Sequence, residues 1–209
     1  MSNLQAVRSS MPARRELALG AAVLCVLVLA VSLLAVAGAP AHARSDRAAR
    51  LTTTYSCSNP QFGGGSSAVT IGTTLPSSVR TGARLPARTV RATITVPDRM
   101  VRLMRQYGVR SVTGKASGAT YRVGAKKVAI SDMRIPRTNV PASGAMRITG
   151  TGRAGAVTLT RAGRYVVRIP ASFQARVTAT FSGGQTIAIS MNCSVASGAP
   201  TRLGTIRVT

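Results

Sequence analysis

The sequence predicts an all-β fold, a sandwich or barrel of about 8–10 short strands with one short helical crossover. From Leu51 onward, short runs alternate apolar and polar residues, which is the period of a half-buried strand. The chain contains 20 Gly and 10 Pro, and many of them separate these runs as turns do. Aromatic residues make up only 3% of the chain, so we expect a core of Val, Ile, Leu, Ala and Met.

The first 43 residues have the organisation of a secretory signal peptide. Basic residues open the chain: Arg8, Arg14 and Arg15. An almost continuous apolar run covers residues 17–39, and Ala41 and Ala43 supply the A-x-A end that a signal peptidase recognises. We therefore expect cleavage after Ala43 and a protein that is secreted or held in the extracellular cell envelope. The alternative is a membrane-anchored protein with an uncleaved signal helix, because the apolar run is long enough to span a bilayer.

Two cysteines, Cys57 and Cys193, follow the signal segment, and we expect them to form a disulfide in an oxidising compartment. Side chains alternate along a strand, so Cys57 shares a face with Tyr55, and Cys193 shares a face with Met191. Both cysteines therefore point with apolar residues towards a core. A zinc site needs about four ligands, and the only histidine, His42, lies in the segment that we expect to be removed.

Residues 44–50 are interpreted as a basic linker, and residues 51–209 as one β-sandwich domain. The alternation assigns an inward face to each run of the domain. The residues predicted to face the core are Leu51, Tyr55 and Cys57; Val69, Ile71 and Leu75; Val90, Ala92, Ile94 and Val96; Ala119, Tyr121 and Val123; Met146 and Ile148; Val157 and Leu159; Tyr165, Val167 and Ile169; Phe173, Ala175, Val177, Ala179 and Phe181; and Ile187, Ile189, Met191 and Cys193.

One segment, PDRMVRLMRQYG at 97–108, breaks the alternation and predicts a short helix. Asp98 stands where a cap or first-turn acid belongs, and Gly108 where a helix stops. An apolar stripe recurs at helical spacing: Met100, Leu103, Met104 and Tyr107. We expect this stripe to pack against the core rather than to form a binding groove.

The charge of the chain is strongly unbalanced. There are 28 Lys and Arg against 4 Asp and Glu, a formal net charge of +24. Beyond residue 43 the only acids are Asp46, Asp98 and Asp132. A coding bias would explain the preference of Arg over Lys, but it does not explain the scarcity of acids. Such a surface attracts polyanions and is self-repelling at low salt.

We predict a non-catalytic protein with no cofactor and no metal site. No histidine follows residue 43 to act as a general base. The three carboxylates are scattered, with no pair at the motif spacing of a glycoside hydrolase. A Ser–Lys dyad is an arrangement that the sequence leaves open.

We predict instead that a cationic face adheres electrostatically to anionic polymers of the cell envelope. The candidate polyanion-binding residues lie at outward strand positions or on the helix: Arg91, Arg99, Arg102, Arg105, Arg122, Arg147, Arg164, Arg168 and Arg176. The expected partner is an anionic cell-wall polymer or phospholipid headgroups, and the membrane itself would be reached only through an uncleaved signal segment. One alternative is non-specific binding of extracellular nucleic acid, although stacking aromatics are nearly absent. The other is a passive structural or protein-interaction module of the envelope.

The run IPRTNVPASGAMRITGTG at 135–152 resembles an uncharacterised family of secreted actinobacterial proteins, a domain of unknown function. The resemblance extends to residues 55–57, 74–85 and 163–165 and to the helical insert after Val96, and so to nearly all of the predicted domain. It implies export and an immunoglobulin-like fold, and it implies no activity. The predicted fold is accordingly an immunoglobulin-like sandwich of about 8–10 strands with one short helical crossover, preceded by an N-terminal signal helix.

The same run has a structural explanation. Pro136 and Pro141 cannot donate to a strand ladder, so they suit edges and loops. Pro141 suits the start of a turn, and Gly144 can supply a positive φ. We therefore expect a crossover between two strands at this point.

Overall fold

A computed structural model describes residues 46–60 and 63–209. The predicted signal peptide, 1–43, lies outside the described residues. The described chain forms one helix, α1 (Asp98–Gln106), and fourteen strands. The strands are β1 (Asp46–Asn59), β2 (Gly63–Pro76), β3 (Ser78–Val79), β4 (Arg84–Leu85), β5 (Arg88–Val96), β6 (Val109–Ser117), β7 (Thr120–Val123), β8 (Lys126–Asn139), β9 (Met146–Ala154), β10 (Val157–Thr158), β11 (Gly163–Arg168), β12 (Ser172–Phe181), β13 (Thr186–Val195) and β14 (Arg202–Val208).

Eight of the strands close into an antiparallel barrel. In spatial order they are β8, β6, β12, β13, β1, β2, β5 and β9, and the pairing of β8 with β9 completes the ring. The ladder between β1 and β2 runs the whole length of both strands. The ladder between β1 and β13 is short, and joins only Tyr55–Ser58 to Asn192–Val195. Inward side chains of the ring form an apolar cluster that includes Val90, Ile130 and Ala175.

The all-β class with one short helix is confirmed, but the predicted immunoglobulin-like sandwich is wrong because the main sheet closes into a barrel. Alternation gives the inward face of each strand correctly, with only Ile187, 47% exposed, left at the rim. The same alternation serves two packed sheets or one closed sheet, so it does not distinguish them. The structure also has fourteen strands rather than the predicted 8–10 or so, since three strands are only two residues long.

Closure of the barrel depends on β8. The first part of this strand pairs with β7 and its last part with β6, while its other edge meets β9. The register between β8 and β9 shifts between Ser131 and Arg134, and Asp132 within this step has φ +52°. A bulge bends a strand and increases its twist, so one long strand can belong to both the barrel and a neighbouring sheet.

Four strands extend the sheet beyond β8 in the order β7, β11, β14 and β3. The extension packs over the start of β1 and the end of β2, and a second apolar cluster fills the space between them. That cluster includes Ala49, Leu75, Val123, Val167 and Ile206. The short strands β4 and β10 pair with each other and add Leu85 and Val157 to the same cluster.

The ends of α1 are as predicted. Asp98 lies in the first turn, where its carboxylate pairs with Arg102 and accepts the backbone N–H of Gly144 at 2.9 Å. Gly108, with φ +77°, follows the last turn and donates its N–H to the carbonyl of Arg105 at 2.8 Å. The helix links β5 to β6. It begins with an acidic residue in its first turn, Asp98, and it is followed by a glycine with positive φ, Gly108.

The predicted buried stripe of α1 is wrong. Met100, Leu103 and Tyr107 are 44%, 42% and 69% exposed, whereas Val101 is fully buried and Met104 is half-buried. Val101 and Met104 join a third apolar cluster at this end of the barrel: Val109, Val112, Val140 and Met146. Helix α1 is only nine residues long. It packs against the barrel through Val101 and Met104, which are three positions apart, and the other residues of the predicted stripe are exposed to solvent.

Two further expectations concern the start of the domain. Strand β1 begins at Asp46, so residues 46–50 pair with β2 and are not part of a linker. Cys57 and Cys193 stand directly opposite each other on β1 and β13 and form the predicted disulfide. The described residues belong to one compact unit, 44–209, which contains all three apolar clusters.

Residues 135–152 cover the end of β8, the connection 140–145 and the start of β9. Because β8 and β9 pair directly with each other, this connection is a hairpin, and the predicted crossover is wrong. Gly144 has φ +80° in this connection, as expected. Pro136 lies in β8 where the register with β6 shifts between Val112 and Gly114, which is a position that needs no ladder donor. The glycine and proline of the motif that carries the family resemblance are therefore explained by the turn and the register shift in which they lie.

Candidate functional site

All nine arginines predicted to bind polyanions are exposed, but the fold does not bring them to a single face. Three lie on the sheet extension: Arg122, Arg164 and Arg168. Three lie on the barrel wall: Arg91, Arg147 and Arg176. Three lie on α1: Arg99, Arg102 and Arg105. The strand register shows which of them have cationic neighbours.

Four cations stand directly opposite one another across four adjacent strands, and we name them the four-cation row. They are Lys127 on β8, Arg122 on β7, Arg168 on β11 and Arg202 on β14. Directly opposite residues in antiparallel strands point to the same face, with Cβ atoms about 4.5–5.5 Å apart. Arg164 and Arg207 form a further opposed pair on β11 and β14. The outward face of the extension therefore carries the four-cation row and one further pair of opposed cations.

Three more cations form a second line on the barrel wall, the three-cation row. Arg176 on β12 is opposite Lys115 on β6, and Lys115 is opposite Arg134 on β8. Strand β8 belongs to both rows, through Lys127 and Arg134. These two residues are seven positions apart, which is roughly 23 Å at 3.3 Å per residue. A long polymer can reach both rows, whereas a small anion cannot.

The rows are not neutralised by the acids of the described chain. Asp46 pairs with Arg88 at 2.5 Å, Asp98 pairs with Arg102, and Asp132 forms no ion pair with any described residue. Within the rows, the guanidinium groups of Arg168 and Arg202 donate to threonine hydroxyls, at 2.9 and 2.8 Å. Like charges placed directly opposite each other destabilise a sheet. A bound polyanion would relieve that repulsion.

The rows contain cations that were not among the sequence candidates: Lys127, Arg202, Lys115 and Arg134. Their outward positions follow from strand register and from the bulge at Asp132, which alternation within one strand does not reveal. Conversely, Arg91 and Arg147 face threonines across the ladder, at Thr151 and Thr95. Of the helix arginines, Arg102 is paired with Asp98, and Arg105 donates weakly to the Pro141 carbonyl at 3.4 Å.

A second feature, which the sequence does not predict, is an apolar cavity of about 450 Å³ inside the barrel. An eight-stranded barrel is just wide enough to be filled by side chains or to hold one small ligand. Here eight of the 28 lining residues are alanine or glycine, and their small size leaves room in the interior. Several inward side chains are therefore only half-buried although they face the barrel interior: Ala92, Ile94, Ala116, Phe173, Val177 and Met191.

Two aromatic rings lie in the wall of the cavity. Tyr55 and Phe173 meet edge to face, with their centroids 5.0 Å apart. The Tyr55 hydroxyl donates to the Pro170 carbonyl at 2.5 Å, and burial raises the pKa of Tyr55. This buried hydroxyl is already bonded, so the inner wall offers an incoming ligand apolar contacts.

The outer end of the cavity opens beside α1. Gly63–Gly65 at the start of β2 line it and are exposed, and Met100 of α1 lines it while 44% exposed. Ile187 lies two residues beyond the lining residue Ile189 on the same face of β13, and is 47% exposed. The opening is therefore in contact with solvent, and its lining combines apolar side chains such as Met100 with the polar side chains of Asn59, Ser66 and Ser67.

Because the cavity opens to solvent at its α1 end, it is a pocket and not a closed void in the core. Water would need two to four polar partners per molecule, and the inner wall is almost entirely apolar. The arrangement can accommodate an apolar guest that enters from the α1 end.

Within residues 46–60 and 63–209, no three His, Cys, Asp or Glu side chains are grouped so as to hold a metal ion. Among the same residues, no helix has the length and apolar composition needed to cross a membrane.

A comparison with protein families found a match over residues 54–204, to a family of unknown function, DUF6801. The match confirms the resemblance to a domain of unknown function, and it carries no information on source organism or fold. Searches of curated proteins and of solved structures found no significant match.

Proposed function

We propose a function from the residues themselves, because the chain belongs to DUF6801, a family of unknown function. The protein is a non-catalytic binding module that adheres electrostatically to an anionic polymer of the cell envelope. The observation that carries the proposal is the four-cation row, in which four opposed cations have no carboxylate partner among the described residues.

Sequence features support the location. Residues 1–43 have the pattern of a signal peptide, and a disulfide such as Cys57–Cys193 persists in oxidising compartments. Export places the cationic rows among anionic wall polymers and phospholipid headgroups. N-terminal sequencing of the exported protein tests this part of the proposal, and Arg44 is the expected first residue. An N-terminus at Met1 in the membrane fraction would indicate an uncleaved anchor instead.

The geometry favours a flexible polymer of regularly spaced phosphates or carboxylates. Cations opposed across neighbouring strands, with Cβ atoms about 5 Å apart in a regular ladder, match a chain of charges better than one compact anion. Nucleic acid has this chemistry as well, and the two rows carry no aromatic residue for base stacking. Any binding to DNA is therefore expected to be independent of sequence and to depend on salt alone.

The test uses the oxidised 44–209 chain, which contains every strand pairing described above. Binding to purified anionic cell wall and to duplex DNA is measured across a salt series. If four phosphates are contacted on duplex DNA, the slope of log K against log salt is about −3.6, at about 0.9 per phosphate. A slope near zero at measurable affinity would show that binding is not electrostatic.

Two variants of equal net charge distinguish the effect of the four-cation row on affinity from the effect of net charge. The row variant is Lys127→Gln, Arg122→Gln, Arg168→Gln and Arg202→Gln. The matched control removes four exposed arginines that lie outside both rows: Arg84→Gln, Arg110→Gln, Arg137→Gln and Arg161→Gln. We expect the row variant to lose at least tenfold more affinity for the wall than the control.

Each outcome has a definite meaning. Equal losses in the two variants would show that net charge, and not the row, attracts the polymer. Equal affinity of the unmodified protein for wall and DNA would identify an unselective polyanion binder. Absence of binding to both at low salt would overturn the proposal and favour a passive or protein-binding module of the envelope.

A further inference from the structure

We propose that the barrel cavity binds a single acyl chain, inserted tail first from the α1 end, with its polar headgroup at the opening. This binding site is separate from the cationic rows, and its ligand belongs to a different chemical class from the polymer proposed for them.

The size of the cavity fits one chain. Its volume, about 450 Å³, is three times that of a cavity of about 150 Å³ that holds one benzene. Its length follows from the strand positions that line it. On β5 the lining residues run from Val90 to Ile94, a distance of roughly 13 Å at 3.3 Å per residue. An apolar interior about 13 Å long can accommodate an extended hydrocarbon chain.

The chemistry of the wall favours a tail without polar groups. Tyr55 and Phe173 line the cavity, and the tyrosine hydroxyl is bonded to the Pro170 carbonyl. The deeper strand positions contribute aliphatic side chains such as Ile130 and Val90. A polar group placed there would lose its hydration without gaining a partner.

The opening suits the other end of an amphiphile. The apolar side chains of Met100, Leu103 and Ile187 are exposed at or near this end of the barrel, where they can contact the upper part of a chain. Helix α1 also carries three arginines, of which Arg99 forms no ion pair with any described residue. A cation next to the entrance favours an anionic headgroup, so a fatty acid and an anionic phospholipid are the two sources of the chain.

The first arm of the test titrates the oxidised 44–209 chain with saturated fatty acids from octanoic to hexadecanoic acid, by calorimetry. We expect one site per protein. Affinity should rise about fourfold for each added methylene, the value for a fully buried CH₂, until the chain fills the cavity, and should then level off. The second arm mixes the protein with vesicles of labelled phosphatidylglycerol and measures stoichiometric transfer of the lipid. Saturable binding in the first arm alone identifies free fatty acid, and transfer in the second identifies a bilayer lipid.

Replacement of single alanines by phenylalanine tests whether the acyl chain binds in the cavity. Ala92→Phe and Ala116→Phe each place a ring in the cavity, whereas Ala188→Phe places the same ring on the outward face of β13. We expect the first two to lower affinity at least tenfold without lowering Tm, because the ring fills a void. The Ala188→Phe variant should bind as the unmodified protein does. A packed interior would instead be overfilled, and Tm would fall.

The proposal is overturned if neither probe binds at one site per protein, or if Ala92→Phe and Ala188→Phe bind equally well. It is also overturned if both cavity variants unfold at a markedly lower temperature, since the cavity would then be filled already. The row variant described above, which lacks four cations on the extension, should keep its acyl-chain affinity. Failure of polymer binding and failure of acyl-chain binding are therefore separately observable.

Discussion

Removal of the disulfide between Cys57 and Cys193 should destabilise the barrel by about 5 kcal/mol in the chain-entropy model. The perturbation is the double variant Cys57→Ala and Cys193→Ala, which removes the covalent bond and retains small apolar side chains. The bond joins the first strand of the barrel to a strand 136 residues later in the sequence. It lies in the ladder between β1 and β13, which contains only four residue pairs.

The magnitude follows from the length of the loop. For a loop of this length the chain-entropy model gives a loss of about 17 cal/mol/K in the unfolded state, which is about 5 kcal/mol at 25 °C. The whole stability of a domain is about 5–15 kcal/mol, so the bond supplies a large share of it. A four-pair ladder has few hydrogen bonds with which to compensate.

The assay is urea unfolding followed by circular dichroism, on the oxidised 44–209 chain and on the double variant. The free energies of unfolding are extrapolated to water, and the slopes are compared to detect a change in the denatured state. Reduction of the unmodified chain gives an independent second measurement of the same quantity. A difference below about 1 kcal/mol in both measurements would refute the view that the bond, rather than packing, secures this seam.

Further predictions concern single residues whose environments differ sharply. Thr53 is buried, and its hydroxyl forms no hydrogen bond. Thr53→Val should therefore raise the free energy of unfolding, measured by urea titration, by about 1 kcal/mol. Thr52→Val is the control, because the Thr52 hydroxyl is exposed and hydrogen-bonded, and it should not raise the free energy of unfolding. A Cβ at Gly152 would lie 2.9 Å from the Ser131 carbonyl oxygen, so Gly152→Ala should lower Tm, at a cost of about 1–3 kcal/mol. At Gly72 the nearest atom is 3.9 Å away, and Gly72→Ala should leave Tm unchanged or higher. Burial raises the pKa of Tyr55 above its ordinary value of about 10. Above pH 10 or so the unfolded chain therefore releases a proton that the folded chain keeps, and stability falls as pH rises. In Tyr55→Phe the fall with pH should be shallower, and equal slopes would contradict this assignment.

The sequence was sufficient to predict the face of almost every strand, because burial of one side of a strand imposes a period of two. It was not sufficient to predict how the strands are arranged around the core. That arrangement depends on β8, whose bulge at Asp132 lets one strand pair with β7, β6 and β9. A single aspartate with a positive φ leaves no clear pattern in the sequence. For α1, the ends were predictable from Asp98 and Gly108, but the buried line through Val101 depends on where the barrel rim lies.

The two candidate sites also differ in how far they can be predicted from the sequence. The excess of cations and the scarcity of acids are visible in the composition, and six outward strand arginines were identified by parity. Their neighbours in the rows, such as Lys127 and Arg202, are opposed only through long-range register. The cavity depends on closure of the ring and on the small side chains of Ala92 and Ala116 inside it. Apolar runs with inward alanines predict a core, and only the three-dimensional arrangement shows that this core is incomplete.

The late pairing of β1 has a consequence for how the protein is made. As the chain emerges from its N-terminus, β1 can pair with β2 at once, but its other edge at Tyr55–Ser58 must wait for Asn192–Val195. During that interval β1 is an open edge with a free thiol, which is the kind of strand that associates with other chains. β13 also supplies part of the cavity wall. A growing chain therefore has no enclosed interior, and this first strand is protected from aggregation only when nearly the whole domain has been synthesised.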